Sequence, residues 1–286
     1  MNTLDKNYLN IAENILKNGV EKENRTGVNT ISISGAMLQH DMSEGFPLLT
    51  TKKVFYKAMS VELEGFLKGI TDKEWYKANK CNIWNEWCNP SKIPEGLSDE
   101  ERKEFQFNES DLGPIYGSQW RDFNGGGYDQ LQQVIRSLEN KPGDRRMLVS
   151  AWNPLQLHLQ ALPPCHVLWQ VAVRGEYLDL LWYQRSVDVF LGLPFNIASY
   201  GLLLSLLAHQ FKYKPGILTG FLGDTHIYKN HIEQIKIMSN RLSDAKELPK
   251  LIIHEDFKDI TKFDSFEDFK IVNYEHLGVL KGEVAV

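Results

Sequence analysis

The sequence predicts an α/β fold of the α+β kind, in which helices cover one face of a sheet. Three observations carry the prediction. Two apolar runs, Cys165 to Val173 and Tyr177 to Val187, are joined by the short turn Arg174-Gly175-Glu176, the pattern of an antiparallel hairpin. The strongly apolar stretch Asn196 to Phe211 follows them and reads as a buried helix laid over that sheet. Leu9, Ala12, Ile15 and Leu16 recur at helical spacing near the start of the chain, so it opens with an amphipathic helix stopped at Gly19.

The remaining elements follow in order. Lys53 to Lys68 reads as a helix ending at Gly69, and it carries Glu62 among mostly apolar neighbours. Residues 88–111 break the pattern with two prolines and a charged run from Asp99 to Glu104, which predicts an inserted loop with a short surface helix. Tyr128 to Leu138 is helical again and is closed by Pro142-Gly143. Met147 to Trp152, Pro249 to His254 and Phe269 to Tyr274 are strand candidates. No repeat or linker divides the chain, so the expected organisation is one domain over 1–286 with the insertion.

A formal charge of −5 and a pI near 5.9 argue against a general nucleic-acid binder, since phosphate backbones are held by excess Lys and Arg. An anionic ligand would need a local cationic cluster. The three cysteines, Cys81, Cys88 and Cys165, have no metal-ligand spacing and no secretory signal beside them, which predicts reduced thiols, no metal and a cytoplasmic protein. The longest apolar stretch, Gly201 to Ala208, reads as too short to span a bilayer, so no membrane role is expected.

Cys165 lies in Ala161-Leu162-Pro163-Pro164-Cys165-His166, where two prolines fix the chain as a strand begins. A free cysteine is ordinarily a small buried hydrophobe, but here polar neighbours accompany it. His166 cannot easily take its proton, because successive strand residues point to opposite faces. Arg185, on the paired strand, could lower the thiol pKa by Coulomb attraction and could also bind phosphate; taken alone it is equally a solvated surface arginine. Arg25, Arg145 and Arg146 offer further fixed positive charge, although paired arginines are usually solvated. Asn196 reads as a helix cap from position, yet its amide has the donor and acceptor that match a uracil ring. His226 and Tyr228, near an expected helix start, form a second polar set whose ordinary role is structural.

These segments closely resemble the thymidylate synthase family. The match runs through Arg25-Thr26-Gly27, Phe46-Pro47-Leu48-Leu49-Thr50-Thr51-Lys52-Lys53, Ile83-Trp84-Asn85-Glu86-Trp87, Asp111-Leu112-Gly113-Pro114-Ile115-Tyr116-Gly117, Pro163-Pro164-Cys165-His166, Gln184-Arg185-Ser186, Phe195-Asn196, Asp224-Thr225-His226 and Val284-Ala285-Val286. The resemblance implies a large mixed, mainly antiparallel sheet, packed back to back with its copy in a homodimer. It implies that dUMP phosphate is held by Arg25, Arg185 and Ser186 of one chain and by Arg145 and Arg146 of the other. Asn196 and Asp188 would face the nucleotide, His226 and Tyr228 its sugar. Ile83, Trp84, Trp87, Asp188, Leu191, Gly192, Phe195, Ala285 and Val286 would line the site of 5,10-methylenetetrahydrofolate. Cys165 would be the nucleophile, with Glu62, Tyr116 and Arg185 assisting.

Some positions depart from the family pattern: Glu64-Gly65 where Leu-Trp is frequent, Leu222 before Gly223, and Glu283 in place of a tail proline. Two other readings compete. A hydroxymethyltransferase of the same family would let water capture the methylene, and a silent nucleotide- or RNA-binding regulator would have lost catalysis. Cys165 and Glu62 weigh against the second. A thiol hydrolase is disfavoured by the Cys165 and His166 geometry.

Overall fold

Asn2 begins the fold as a cap: its side chain accepts from the Asp5 N–H at 2.8 Å and starts helix α1 (Thr3–Asn18), which Gly19 ends. This is a computed structural model, which describes residues 2–284. The buried Asp5 carboxylate also accepts from the backbone N–H groups and hydroxyls of Thr50 and Thr51, so α1 is tied to the segment that leads into the next helix. Strands β1 (Val20–Lys22) and β2 (Thr30–Asp41) follow, then helices α2 (Tyr56–Lys68), α3 (Lys73–Ala78), α4 (Asp99–Asn108), α5 (Tyr116–Arg121) and α6 (Gln130–Asn140). Helix α2 starts three residues later than its apolar pattern suggests, and Gly69 closes it in the left-handed conformation.

Strand β3 (Leu148–Ser150) precedes the expected hairpin, β4 (His166–Arg174) and β5 (Tyr177–Asp188). Helix α7 (Gly192–Gln210) is longer than Asn196 to Phe211 and begins before Asn196, which is therefore not a cap but an interior helical residue. At 19 residues it is long and apolar enough to cross a membrane by length and composition, which corrects the expectation of too short a stretch. Most of it is buried inside this protein, as a core helix is. The chain continues through β6 (Lys214–Tyr228), α8 (Ile232–Asn240), and β7 (Lys250–Ile253) paired antiparallel with β8 (Phe269–Val272).

The main sheet has six strands in the order β1-β2-β6-β5-β4-β3. All pairs are antiparallel except β5 and β6, which run parallel because α7 carries the chain across between them. Trp169, Val171, Leu180 and Trp182 point inward beneath α7, and the Trp182 ring stacks on Tyr200 at 5.2 Å. On the other face, Met37, Phe221, Tyr183 and Leu168 stand opposite one another across four strands, and the first three are exposed.

Strands β2 and β6 are not apparent from periodicity, and β6 shows why. It carries a proline and three glycines within Lys214–Tyr228, all of which read as breakers. A Cβ at Gly220 would stand 2.5 Å from the Trp182 ring, so that glycine makes room for a core aromatic on the neighbouring strand. The 88–111 insertion does hold a short surface helix, α4, started by a Ser98–Glu101 capping box. The loop is closed at its base where the Asn89 N–H donates to the Asp111 carbonyl at 2.7 Å.

Candidate active site

The two prolines deliver Cys165 to the first residue before β4, where its carbonyl accepts from the Arg185 N–H at 2.8 Å. This backbone bond puts the two residues opposite each other, as the hairpin predicts. The Arg185 guanidinium turns back to donate to the carbonyls of Pro163 and Pro164, each at 2.8 Å, and lies 5.4 Å from the Trp152 ring centre. It is thereby held over the loop that presents the sulfur.

Burial pushes the Cys165 thiol up from its ordinary value; Arg185 and then Arg25 pull it down, and Asp188 adds to the rise. Arg185 therefore acts in the expected direction, but desolvation outweighs it in this chain and the net shift is upward. Arg25 is exposed on the turn after β1, its guanidinium 5.8 Å from the Trp87 ring centre.

His166 points the other way. Its ring stacks on Tyr116 at 4.1 Å, its Nδ1 is 2.8 Å from the Tyr200 hydroxyl, and burial lowers its pKa to about 3. A neutral imidazole on the opposite side of the strand is no base for Cys165, as the alternation of side chains requires. Tyr116 instead reaches Cys165 directly, its phenolic oxygen accepting from the Cys165 N–H at 2.8 Å.

Glu62 lies on α2, half-buried, and burial raises its pKa to about 7. The Trp84 indole N–H, which makes no hydrogen bond of normal geometry, faces it and offsets part of that rise. The charge of Glu62 is felt at Tyr116 and Tyr200, which places a carboxyl able to gain or lose a proton near neutral pH beside the Cys165 cluster.

Asn196 projects from α7 toward β5, and its Oδ1 accepts from the buried Gln184 amide at 2.9 Å. Gln184 in turn accepts from the Trp182 indole at 3.2 Å and donates to the Ser186 carbonyl at 3.2 Å. Trp182, Gln184 and Ser186 alternate along β5, and only folding brings Asn196 of α7 to them. Asp188 accepts from the Phe190 and Leu191 N–H groups at 3.0 and 3.1 Å, so it fixes the turn that carries Leu191, Gly192 and Phe195 into α7.

His226 and Tyr228 sit at the end of β6, with the His226 Nδ1 3.1 Å from Asp224. Tyr228 feels the charges of Asp188, Arg25 and Cys165 and so belongs to the same cluster. Trp84 is buried, Trp87 is half-buried and Ile83 is exposed on the turn segment after α3. Arg145 and Arg146 stand apart on an exposed loop that lines an open cavity of about 610 Å³ with Lys141, Gly143 and Asp144. Within one chain they make no contact with Cys165 among the described residues. Ala285 and Val286 lie outside the described residues.

The departures from the family pattern have local explanations. Glu64 is buried and accepts from Lys68 at 2.5 Å and from the Ser265 N–H at 3.0 Å. A Cβ at Gly65 would meet the Tyr76 ring at 2.3 Å, so Tyr76 fills the space a larger residue would take. Leu222 is a core residue of β6, and the Glu283 carbonyl lies 2.9 Å from the His231 Nε2.

The family profile described as thymidylate synthase matches residues 6–286. A protein of Mycoplasma genitalium named thymidylate synthase is 45% identical over 292 residues, covering 98% of this chain and 100% of that protein. One of Mycoplasma pneumoniae with the same name is 44% identical, covering 98% and 99%. The profile leaves out only the first five residues and both relatives cover nearly all of the chain, so the protein belongs to the thymidylate synthase family of methyltransferases.

Proposed function

We propose that the chain converts dUMP to dTMP with 5,10-methylenetetrahydrofolate, through a bond between the Cys165 sulfur and uracil C6. The observation that carries this reading is the convergence on one loop of Cys165, the Tyr116 hydroxyl and the Arg185 guanidinium, with Glu62 poised near neutral pH.

Uracil C5 is a poor nucleophile until a group adds at C6. The Cys165 sulfur forms the S–C6 bond as its proton leaves, the ring π pair moves toward O4, and C5 gains carbanion character. With its Oδ1 engaged by Gln184, Asn196 keeps an amide donor for O4 and a second lone pair for N3–H, the pairing a uracil needs and a cytosine lacks. Preorganised donors stabilise the enolate without reorganising. Glu62 moves protons at O4 through water, and Tyr116, held against the Cys165 amide, assists loss of the C5 proton. Arg25, Arg185 and Ser186 grip the phosphate, with His226 and Tyr228 on the sugar.

Trp84, whose indole N–H faces Glu62, and Trp87 and Ile83 beside it offer aromatic and apolar surface to a flat folate ring. Asp188, Leu191, Gly192 and Phe195 complete that side, and the family resemblance adds Ala285 and Val286, which lie outside the described residues. Bound there, the folate supplies the one-carbon unit and the hydride.

The exposed row Met37, Phe221 and Tyr183 supports a homodimer packed through the sheets, because an apolar sheet face of this extent marks an interface. Arg145 and Arg146, remote from Cys165 in their own chain, then serve the partner's phosphate site.

The test is a product assay. Purified protein with dUMP and methylenetetrahydrofolate is expected to form dTMP and dihydrofolate in equal amounts, and 5-fluoro-dUMP with the folate to modify Cys165. Formation of 5-hydroxymethyl-dUMP with tetrahydrofolate would replace this reading by the hydroxymethyltransferase; an unmodified thiol would remove the covalent step.

A further inference from the structure

Lys73 is a fully buried lysine that no step above uses. From α3 its ammonium donates to three backbone carbonyls: Asn85 at 3.2 Å, Trp87 at 3.1 Å and Gln106 at 2.5 Å. Two of these belong to the segment that carries Ile83, Trp84 and Trp87. The third lies in the last turn of α4, inside the 88–111 insertion.

The segment from 82 to 88 has neither helix nor strand, so its carbonyls must find donors elsewhere. The last carbonyls of α4 also lack intrahelical partners, and Lys77 takes the next of them, Phe107, at 3.3 Å. One buried cation therefore joins two segments that have no other regular pairing. Burial lowers the Lys73 pKa, and the carbonyl dipoles at a helix C-terminus offset part of that cost.

We propose that Lys73 is a positioning residue for the folate side of the site: it fixes the main chain of Trp84 and Trp87 and braces it against the insertion helix. The inference rests on reading those tryptophans as folate contacts. Without the ammonium, three carbonyls would lose their donor, and the segment would shift to rehydrate them, taking the indoles with it. The hydrogen bonds that hold Cys165, Arg185, Gln184 and Asn196 run between α5, the loop before β4, β5 and α7, and none of them passes through Lys73. Folate and nucleotide effects should therefore separate.

The experiment is steady-state kinetics on the full chain carrying Lys73→Met, Lys73→Gln or Lys73→Arg, with dUMP binding measured by calorimetry without folate. For Lys73→Met the KM for methylenetetrahydrofolate is expected to rise about tenfold, as loss of one charge-assisted hydrogen bond would give. The dUMP affinity should stay within about twofold, a change too small to register as a lost contact, while kcat at saturating folate should fall by less than the KM rises, because the Trp84 indole also faces Glu62. Lys73→Arg, which keeps charge and donors, should recover most of the loss, and Lys73→Gln less.

An unchanged folate KM would overturn the proposal, as would a joint fall of kcat and both affinities, the signature of a merely destabilised enzyme. If none of the variants folds, Lys73 serves the fold rather than the folate side and the proposal fails. If the unsubstituted protein shows no saturable dependence on the folate, the folate reading itself is wrong. That outcome is distinct from a folate-dependent enzyme indifferent to position 73.

Discussion

The Cys165 backbone N–H donates to the Tyr116 phenolic oxygen at 2.8 Å, so the residue bearing the proposed nucleophile hangs from a buried ring that also stacks on His166. This contact, with those of Gln119 to Gln156 and Asn153, joins the segment before β4 to α5, two parts of the chain with no local relation. It fixes the height of the thiol independently of the arginines.

Tyr116→Phe tests that contact. The ring and its stacking on His166 are kept, and only the oxygen is lost. Leaving the Cys165 N–H without its partner costs roughly 1–3 kcal/mol, so the melting temperature is expected to fall by several degrees. The kcat should fall at least tenfold, a barrier change of about 1.4 kcal/mol, with dUMP affinity nearly kept. Calorimetry and initial rates decide it; kcat at the unsubstituted level would remove Tyr116 from the reaction.

Glu62→Gln has a signature in pH. Burial raises the Glu62 pKa from 4.5 to about 7, so the folded chain holds a proton that the unfolded chain releases. Its contribution to stability is therefore fully present below about pH 4.5 and lost as pH rises through 7. The glutamine variant should match the unsubstituted protein at pH 4 and be more stable by up to about 3 kcal/mol at pH 8. Denaturant midpoints measure the difference. Its residual activity should lack the ionisation near pH 7, and an unaltered pH–rate profile would assign that ionisation to another group.

Phe221→Glu probes the outer face of the sheet. Phe221 stands opposite Met37 and Tyr183 on neighbouring strands, and a carboxylate there would be uncompensated in an apolar interface. Light scattering is expected to show a monomer, with activity reduced at least tenfold. A monomer with full activity would mean that Arg145 and Arg146 are not needed by a second chain's site.

Much of the site is readable as residue type, and less as arrangement. The hairpin of β4 and β5 is legible because its turn and apolar runs are local, and it alone places Arg185 opposite Cys165. The opposed directions of Cys165 and His166 follow from the same strand geometry. Strand β6 is not legible, since its proline and glycines look like breakers until Trp182 on the next strand is in place.

The order of side chains along the chain was enough to predict the α+β class, the candidate nucleophile Cys165 and the family resemblance, because periodicity, turns and motifs are short-range. Folding alone decided three things: the net direction of the Cys165 thiol shift, the Gln184 hold on Asn196, and the Lys73 link between insertion and tryptophan segment. Each is a balance of desolvation against partners distant in sequence, and neither burial nor partner exists before the chain has closed on itself.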